Sequence, residues 1–197
     1  QNINEMKEGA ALLKNENDAL PLKEGAHISL FGHATVQPLY DAMAAGTRVA
    51  YAPTHRTDYV TALKNAGFVV NDALVQALEN GDAVRGIPGA ISVLPPTANG
   101  SATGTEENLS FYEAQRSTYT NDYRDAAIVM FAREGAEGTD LLMDDNDDPG
   151  GSTEKISSLA LHKNELDLLK LVREDFDTVI VLLNSPYQLE VEQIEEY

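Results

Sequence analysis

The sequence contains no cysteine and no tryptophan, and it is poor in basic residues. It also lacks any apolar run approaching the ~20 residues needed to cross a bilayer. Without cysteine there are no disulfide frameworks, no thiolate zinc sites and no cysteine nucleophiles, and the redox compartment stays open. Fourteen Lys and Arg stand against thirty-two Asp and Glu, a net charge of −18. Such a charge repels polyanions and anionic bilayers over about a Debye length, which makes nucleic acid and acidic lipid poor partners. A neutral ligand such as a sugar carries no such penalty. Residues 1–8 lack the basic and apolar segments of a signal peptide. This segment therefore implies no membrane contact, and a cytoplasmic and a secreted location both stay open.

The hydrophobic share of 43% over 197 residues is that of a folding globular chain with one core. Ile3, Met6, Ala10 and Leu13 recur at helical spacing and predict an opening amphipathic helix, closed by Asn15, Asn17 and Pro21. His27 to Phe31 predicts a short buried strand ending in a tight turn at Gly32. Asp58 to Ala66 reads as a helix with Gly67 at its left-handed cap. Phe68 to Val70 follows as a strand, and Asn71 caps a helix through Leu78 that stops at Asn80-Gly81. Gly86 to Thr105 reads as a long surface loop, and Phe111 to Tyr123 as a polar helix. Ala126 to Phe131 is the clearest buried strand. Helix Lys163 to Glu174, with Leu166, Leu169 and Val172 as its buried stripe, precedes a second apolar strand, Thr178 to Leu183. Val191 to Tyr197 starts a further helix with no stop signal, as in a piece cut from a longer protein.

Strands with continuous hydrophobicity, separated by helices, predict an α/β fold in which a mostly parallel sheet is sandwiched between helices on both faces. Ligands of such sheets gather at the carboxyl ends of the strands. The loop after Phe131 stands out, because Arg133 to Gly151 holds four glycines and seven acidic residues. It contains neither a G-x-G-x-x-G nor a P-loop pattern, and its aspartates oppose an anion, which discards nucleotide binding. The run Asp144-Asp145-Asn146-Asp147-Asp148 carries Pro149 where an EF-hand needs Gly, so it reads as a solvated acidic loop with no metal. His27, His33, His55 and His162 share no metal spacing, and no G-x-S-x-G elbow occurs. No cofactor is implied. What remains is Glu134 and Glu137, two carboxyl groups set between small residues in a loop able to approach a ligand closely. By itself that is a weak signal for catalysis.

Three blocks in order resemble the second, α/β-sandwich domain of family 3 glycoside hydrolases. The first is Glu8 to Asn15 with Leu20-Pro21-Leu22, similar to EG-x-VLLKN…LPL. The second is Asp125 to Val129 leading to Arg133-x-x-x-Glu137-Gly138-x-Asp140, similar to DAAIVV…R-x-x-GEG-x-D. The third is Leu159 to Val172 followed by Val179 to Asn184, similar to L-x-L-x-x-x-E-x-x-L-L-x-x-V…VIVVLN. The resemblance implies that residues 1–197 form one such domain of a larger hydrolase, which cleaves terminal β-linked sugars with retention of configuration. It implies that the nucleophile is an Asp on a separate barrel domain, whose S-D-W motif has no counterpart here, and that Glu137 is the general acid/base. Glu134 is the fallback, because the position of this residue varies between subgroups. Arg133, Gly138 and Asp140 are then the substrate-side residues of the loop. Gly138 lets it pass close to the sugar, and Arg133 and Asp140 orient it or serve structure alone. Leu141 and Ala136 depart from the Arg and Gly common at their positions, and the closing G-Q-x-G-G stretch is missing, which predicts an incomplete sheet or an exposed edge. A non-catalytic structural or carbohydrate-binding companion domain is the alternative.

Overall fold

The computed structural model describes residues 9–38, 42–44, 47–49, 57–83, 106–133, 146–148, 151–185 and 188–197. Four strands form a parallel sheet: β1 (His27–Phe31), β4 (Val69–Val70), β5 (Ala126–Ala132) and β8 (Val179–Asn184), in the order β4-β1-β5-β8. Ile28 pairs with Val70 on one side of β1 and with Ala126 on the other. Val129 of β5 pairs with Val181 of β8. Two antiparallel pairs lie outside this sheet, β2 (Ala42–Ala44) with β3 (Thr47–Val49) and β6 (Asn146–Asp147) with β7 (Lys155–Ile156). The described helices are α1 (Tyr59–Asn65), α2 (Asp72–Glu79), α3 (Leu109–Gln115), α4 (Lys163–Asp175) and α5 (Glu192–Glu195).

Alternation along the strands divides the core between two faces. Phe31, Ala127, Val129 and Phe131 project to the side filled by Leu74 and Leu78 of α2, Tyr112 of α3, and Leu168, Leu169 and Val172 of α4. Ile28, Leu30, Ala126 and Ile128 project to the other side, with Val70 and Val75 and the half-buried Tyr59, Val60 and Leu63. An uninterrupted apolar strand is therefore apolar for two reasons at once, as expected of a sheet covered on both faces. Phe31 packs edge-on against Tyr119 and Phe176 at centroid distances of 5.4 and 5.5 Å, a favoured aromatic geometry. The last strand, β8, borders the described sheet, and all six of its residues are only half-buried.

Local capping sets most element boundaries. Asp58 accepts from the Thr61 N–H, Asn71 from Leu74 and Asn108 from Phe111, so that a short polar side chain starts each of α1, α2 and α3. Gly67 follows α1 at φ 94°, as the sequence predicts. Gly32 is required for a different reason. It sits at φ 86°, and a Cβ there would meet the Met130 carbonyl oxygen at 2.5 Å. Only glycine lets the chain turn off β1 this close to β5.

Three expectations need correction. The opening helix does not extend into the described residues, since 9–26 contain only turns and irregular backbone. There Leu12 and Leu13 are 68% and 74% exposed, with no apolar surface to repay helix formation, and an isolated helix this short is unstable in water. The polar helix starts at Leu109 rather than Phe111, because Asn108 supplies its cap, and it gives way to a 3-10 turn at Arg116–Thr118. On α4 the buried set is Leu168, Leu169, Leu171 and Val172, with Leu166 half-buried. This stripe is wider than the sequence pattern suggests, because both neighbouring elements and the sheet press on the helix.

Candidate functional site

From β1 the chain steps to one side to form β4, then passes back across β1 to form β5 on the other side. The connections leaving the carboxyl ends of β1 and β5 thus diverge, and such a switch in strand order is where sheets of this kind bind ligands. Two segments reach it, Gly32-His33 beyond β1 and Arg133 beyond β5.

Arg133 is fully buried. Nη1 and Nη2 donate to Glu165 Oε1 and Oε2 at 2.8 and 2.7 Å, a bidentate fork. Nε donates to the Ser158 carbonyl, Nη1 also to that of Ala132, and Nη2 also to that of Ala160. These bonds use all five guanidinium N–H donors. Arg133 therefore reaches a sugar only by releasing a protein acceptor, and its observed contacts are structural. Its partner Glu165 lies in the first turn of α4 and also accepts from the His162 N–H at 3.0 Å. Burial by itself would raise the Glu165 carboxyl, but the charges of Arg133 and His162 and their hydrogen bonds hold it below the usual carboxylate range.

Beyond β1, the His33 N–H donates to Glu106 Oε2 at 2.9 Å. Glu106 Oε1 accepts from the Tyr112 hydroxyl at 2.6 Å and from the Glu107 N–H at 2.8 Å. Asn164 of α4 donates to the Glu106 carbonyl at 2.9 Å, and Glu107 Oε1 accepts from the Ala83 N–H at 2.7 Å. Both glutamates are buried. Burial pushes the Glu106 carboxyl up to about 7 against the pull of its three donors. The same burial lowers the His33 imidazole, although Gln37 and Glu107 act in the opposite direction. Among the described residues neither ring nitrogen of His33 has a hydrogen-bond partner of normal geometry.

Sequence reasoning missed this buried acid node. The only available signal is the pair Glu106-Glu107 directly before the capping Asn108, since acidic groups favour helix N-termini. A second revision concerns Asp148. Read in the sequence as part of a solvated acidic run, it is buried, and its carboxylate accepts from the Lys163 N–H at 3.1 and 3.3 Å. A carboxylate at a helix N-terminus satisfies an otherwise orphaned donor and the helix dipole. Glu134, Glu137, Gly138 and Asp140 lie outside the described residues, so of the predicted set the structure places only Arg133, at the carboxyl end of β5. Among the described residues, no three His, Asp or Glu side chains converge on a metal position, and no helix is long and apolar enough to cross a membrane.

The family model described as the glycosyl hydrolase family 3 C-terminal domain matches residues 10–197. The chain belongs to this family. A structure similar to this family 3 domain is that of a β-glucosidase from Paenibacillus barengoltzii, with a TM-score of 0.65 and 22% sequence identity. The similarity covers 96% of this chain and 18% of that one, so the domain spans less than a fifth of the length of the protein it matches. No curated protein matches the sequence.

Proposed function

We propose that this domain supplies the general acid/base and part of the sugar pocket of a retaining, exo-acting β-glycosidase of β-glucosidase type. The observation that carries the reading is the start of the Arg133-x-x-x-Glu137-Gly138-x-Asp140 stretch at the carboxyl end of β5, beside the switch in strand order, in a chain of this family. The nucleophile is an Asp on a barrel domain of the same polypeptide, and the two carboxyl groups meet across the domain boundary.

Retaining hydrolysis calls for two carboxyl groups about 5–5.5 Å apart. In the first step the Glu137 carboxyl donates its proton to the glycosidic oxygen as the barrel aspartate attacks the anomeric carbon. The bond to the leaving group breaks, the alcohol departs, and a covalent glycosyl-enzyme forms. In the second step the Glu137 carboxylate takes a proton from water while that water attacks the same carbon and releases the aspartate. Two inversions give net retention. Gly138 and Asp140 take the substrate-binding roles of the family pattern, and Arg133 orients the loop from within the protein. Glu134 takes the acid/base role if Glu137 does not hold it.

The test is made in the full-length hydrolase. Glu137→Gln should lower turnover of poorly activated β-glycosides by a factor of 10² to 10⁴, the range ordinarily supplied by a general acid, whereas Glu134→Gln should leave it within a few-fold. The reverse ranking would move the role to Glu134. Unchanged turnover in both variants would leave the domain a structural or carbohydrate-binding companion.

A further inference from the structure

The chain between β5 and α4 leaves the sheet at Arg133 and is described again at Asn146–Asp147 and Asp148. Both ends of this connection are fastened to the same place. At the first end, Arg133 grips Glu165 through two bonds of 2.8 and 2.7 Å. At the second, the buried Asp148 carboxylate accepts from the Lys163 N–H. Lys163 and Glu165 are two residues apart in the first turn of α4, a 13-residue helix. That turn is itself held by the His162 N–H on Glu165 and, through Asn164, by the Glu106 carbonyl. The Arg133 N–H donates to the Asn184 carbonyl at 3.1 Å, which ties the first end to β8 as well.

We propose that the first turn of α4, through Glu165 and Asp148 in concert, is the positioning clamp of the segment that carries Glu137. This rests on the reading of Glu137 as the general acid. Neither Glu165 nor Asp148 touches the sugar in that reading. A proton donor must be held close to its acceptor, and small displacements of such a group cost rate steeply. Fixing both ends of a chain segment on one helical turn restricts where the residues between them can go. The arrangement also accounts for a buried, fully engaged arginine at the root of an otherwise acidic, glycine-rich segment. Arg133 acts as the near anchor of that clamp.

A general acid matters most when the leaving group is basic, so misplacing it produces a signature that loss of folded protein does not. The full-length hydrolase and its Glu165→Gln, Asp148→Ala and Glu137→Gln variants are assayed on two aryl β-glucosides. One releases phenol and needs protonation; the other releases 2,4-dinitrophenol and does not. For Glu165→Gln and Asp148→Ala, kcat/KM on the phenyl substrate should fall by about 10- to 100-fold, against less than about 3-fold on the dinitrophenyl substrate. Asp148→Ala carries the test if Glu165→Gln does not fold, since it removes an acceptor at a helix N-terminus rather than the partner of a buried arginine. Equal losses on both substrates in the clamp variants, beside a selective loss in Glu137→Gln, would overturn the clamp and leave the acid assignment standing. A selective loss in the clamp variants with none in Glu137→Gln would support the clamp and move the acid to another residue of the segment. No selectivity in any variant would overturn both.

Discussion

Glu106 gives the structure a pH dependence that can be worked out in advance. Among the described residues no cation faces its buried carboxyl, and burial raises it from 4.5 to about 7 although three donors face it. A group whose folded pKa is raised favours the fold most when protonated. Its contribution is fully present below pH ~4.5 and is lost as pH rises toward 7. The 2.5-unit difference between those values corresponds to about 3 kcal/mol, most of it gone by neutrality. For a domain of this size that is on the order of 6–12 °C in Tm. The net charge of −18 adds a slope of the same sign through self-repulsion, so the informative quantity is a difference between proteins. Chemical unfolding at intervals from pH 4.5 to 8, on the wild-type protein and on Glu106→Gln, isolates it. The variant carries a constant penalty, because its amide opposes the N–H of His33 or the other donors, but it should lack about 3 kcal/mol of the wild-type pH dependence. Parallel curves for the two proteins would refute the reasoning and show that Glu106 stays ionised across the range.

Other perturbations follow from particular contacts. Glu165→Ala should cost roughly 3–5 kcal/mol in unfolding free energy by leaving the Arg133 charge buried and unpaired, whereas the double replacement Arg133→Leu with Glu165→Leu should cost far less than twice that. The wild-type pair should also weaken below pH ~4.5, because a carboxyl held below its ordinary value loses its contribution as pH falls through the folded pKa. Gly32→Ala should destabilise by at least about 1–3 kcal/mol from backbone strain alone, with more from the clash with the Met130 carbonyl. Leu78→Ala, at a fully buried site beneath the sheet, should cost about 2–5 kcal/mol, read from the urea midpoint at unchanged slope.

The sheet was legible because its strands are apolar on both faces and its boundaries carry local signals. His27–Phe31 with Gly32, Gly67 after α1, and Asn71 before α2 are each decided by neighbours within a few residues. The long apolar stretches of β5 and β8 and the periodicity of α4 needed no more. The opening segment misled because helical spacing is only an offer of a buried face, and Leu12 and Leu13 find none among the described residues. The site was less legible for a related reason. The loop after β5 could be singled out by its glycines and charges, but the partner of Arg133 lies 32 positions away on α4, and that of Glu106 lies 73 positions away at His33. Neither distance has a periodicity to betray it. Asp148 looked like one member of a solvated acidic run, and only the approach of the α4 N-terminus gives it a distinct role. Glu134, Glu137, Gly138 and Asp140 lie outside the described residues, so their assignment still rests on the family pattern.

The assignment of Glu137 is tested most directly by chemical rescue. In the full-length hydrolase, Glu137→Ala should still form the glycosyl-enzyme from a dinitrophenyl β-glycoside, whose leaving group needs no acid, and should then stall for want of a base. Added azide, a nucleophile that needs no deprotonation, should restore turnover and yield the β-configured glycosyl azide. Turnover unaffected by the substitution would contradict the account. So would a stalled enzyme that azide does not rescue, or an α-configured azide product.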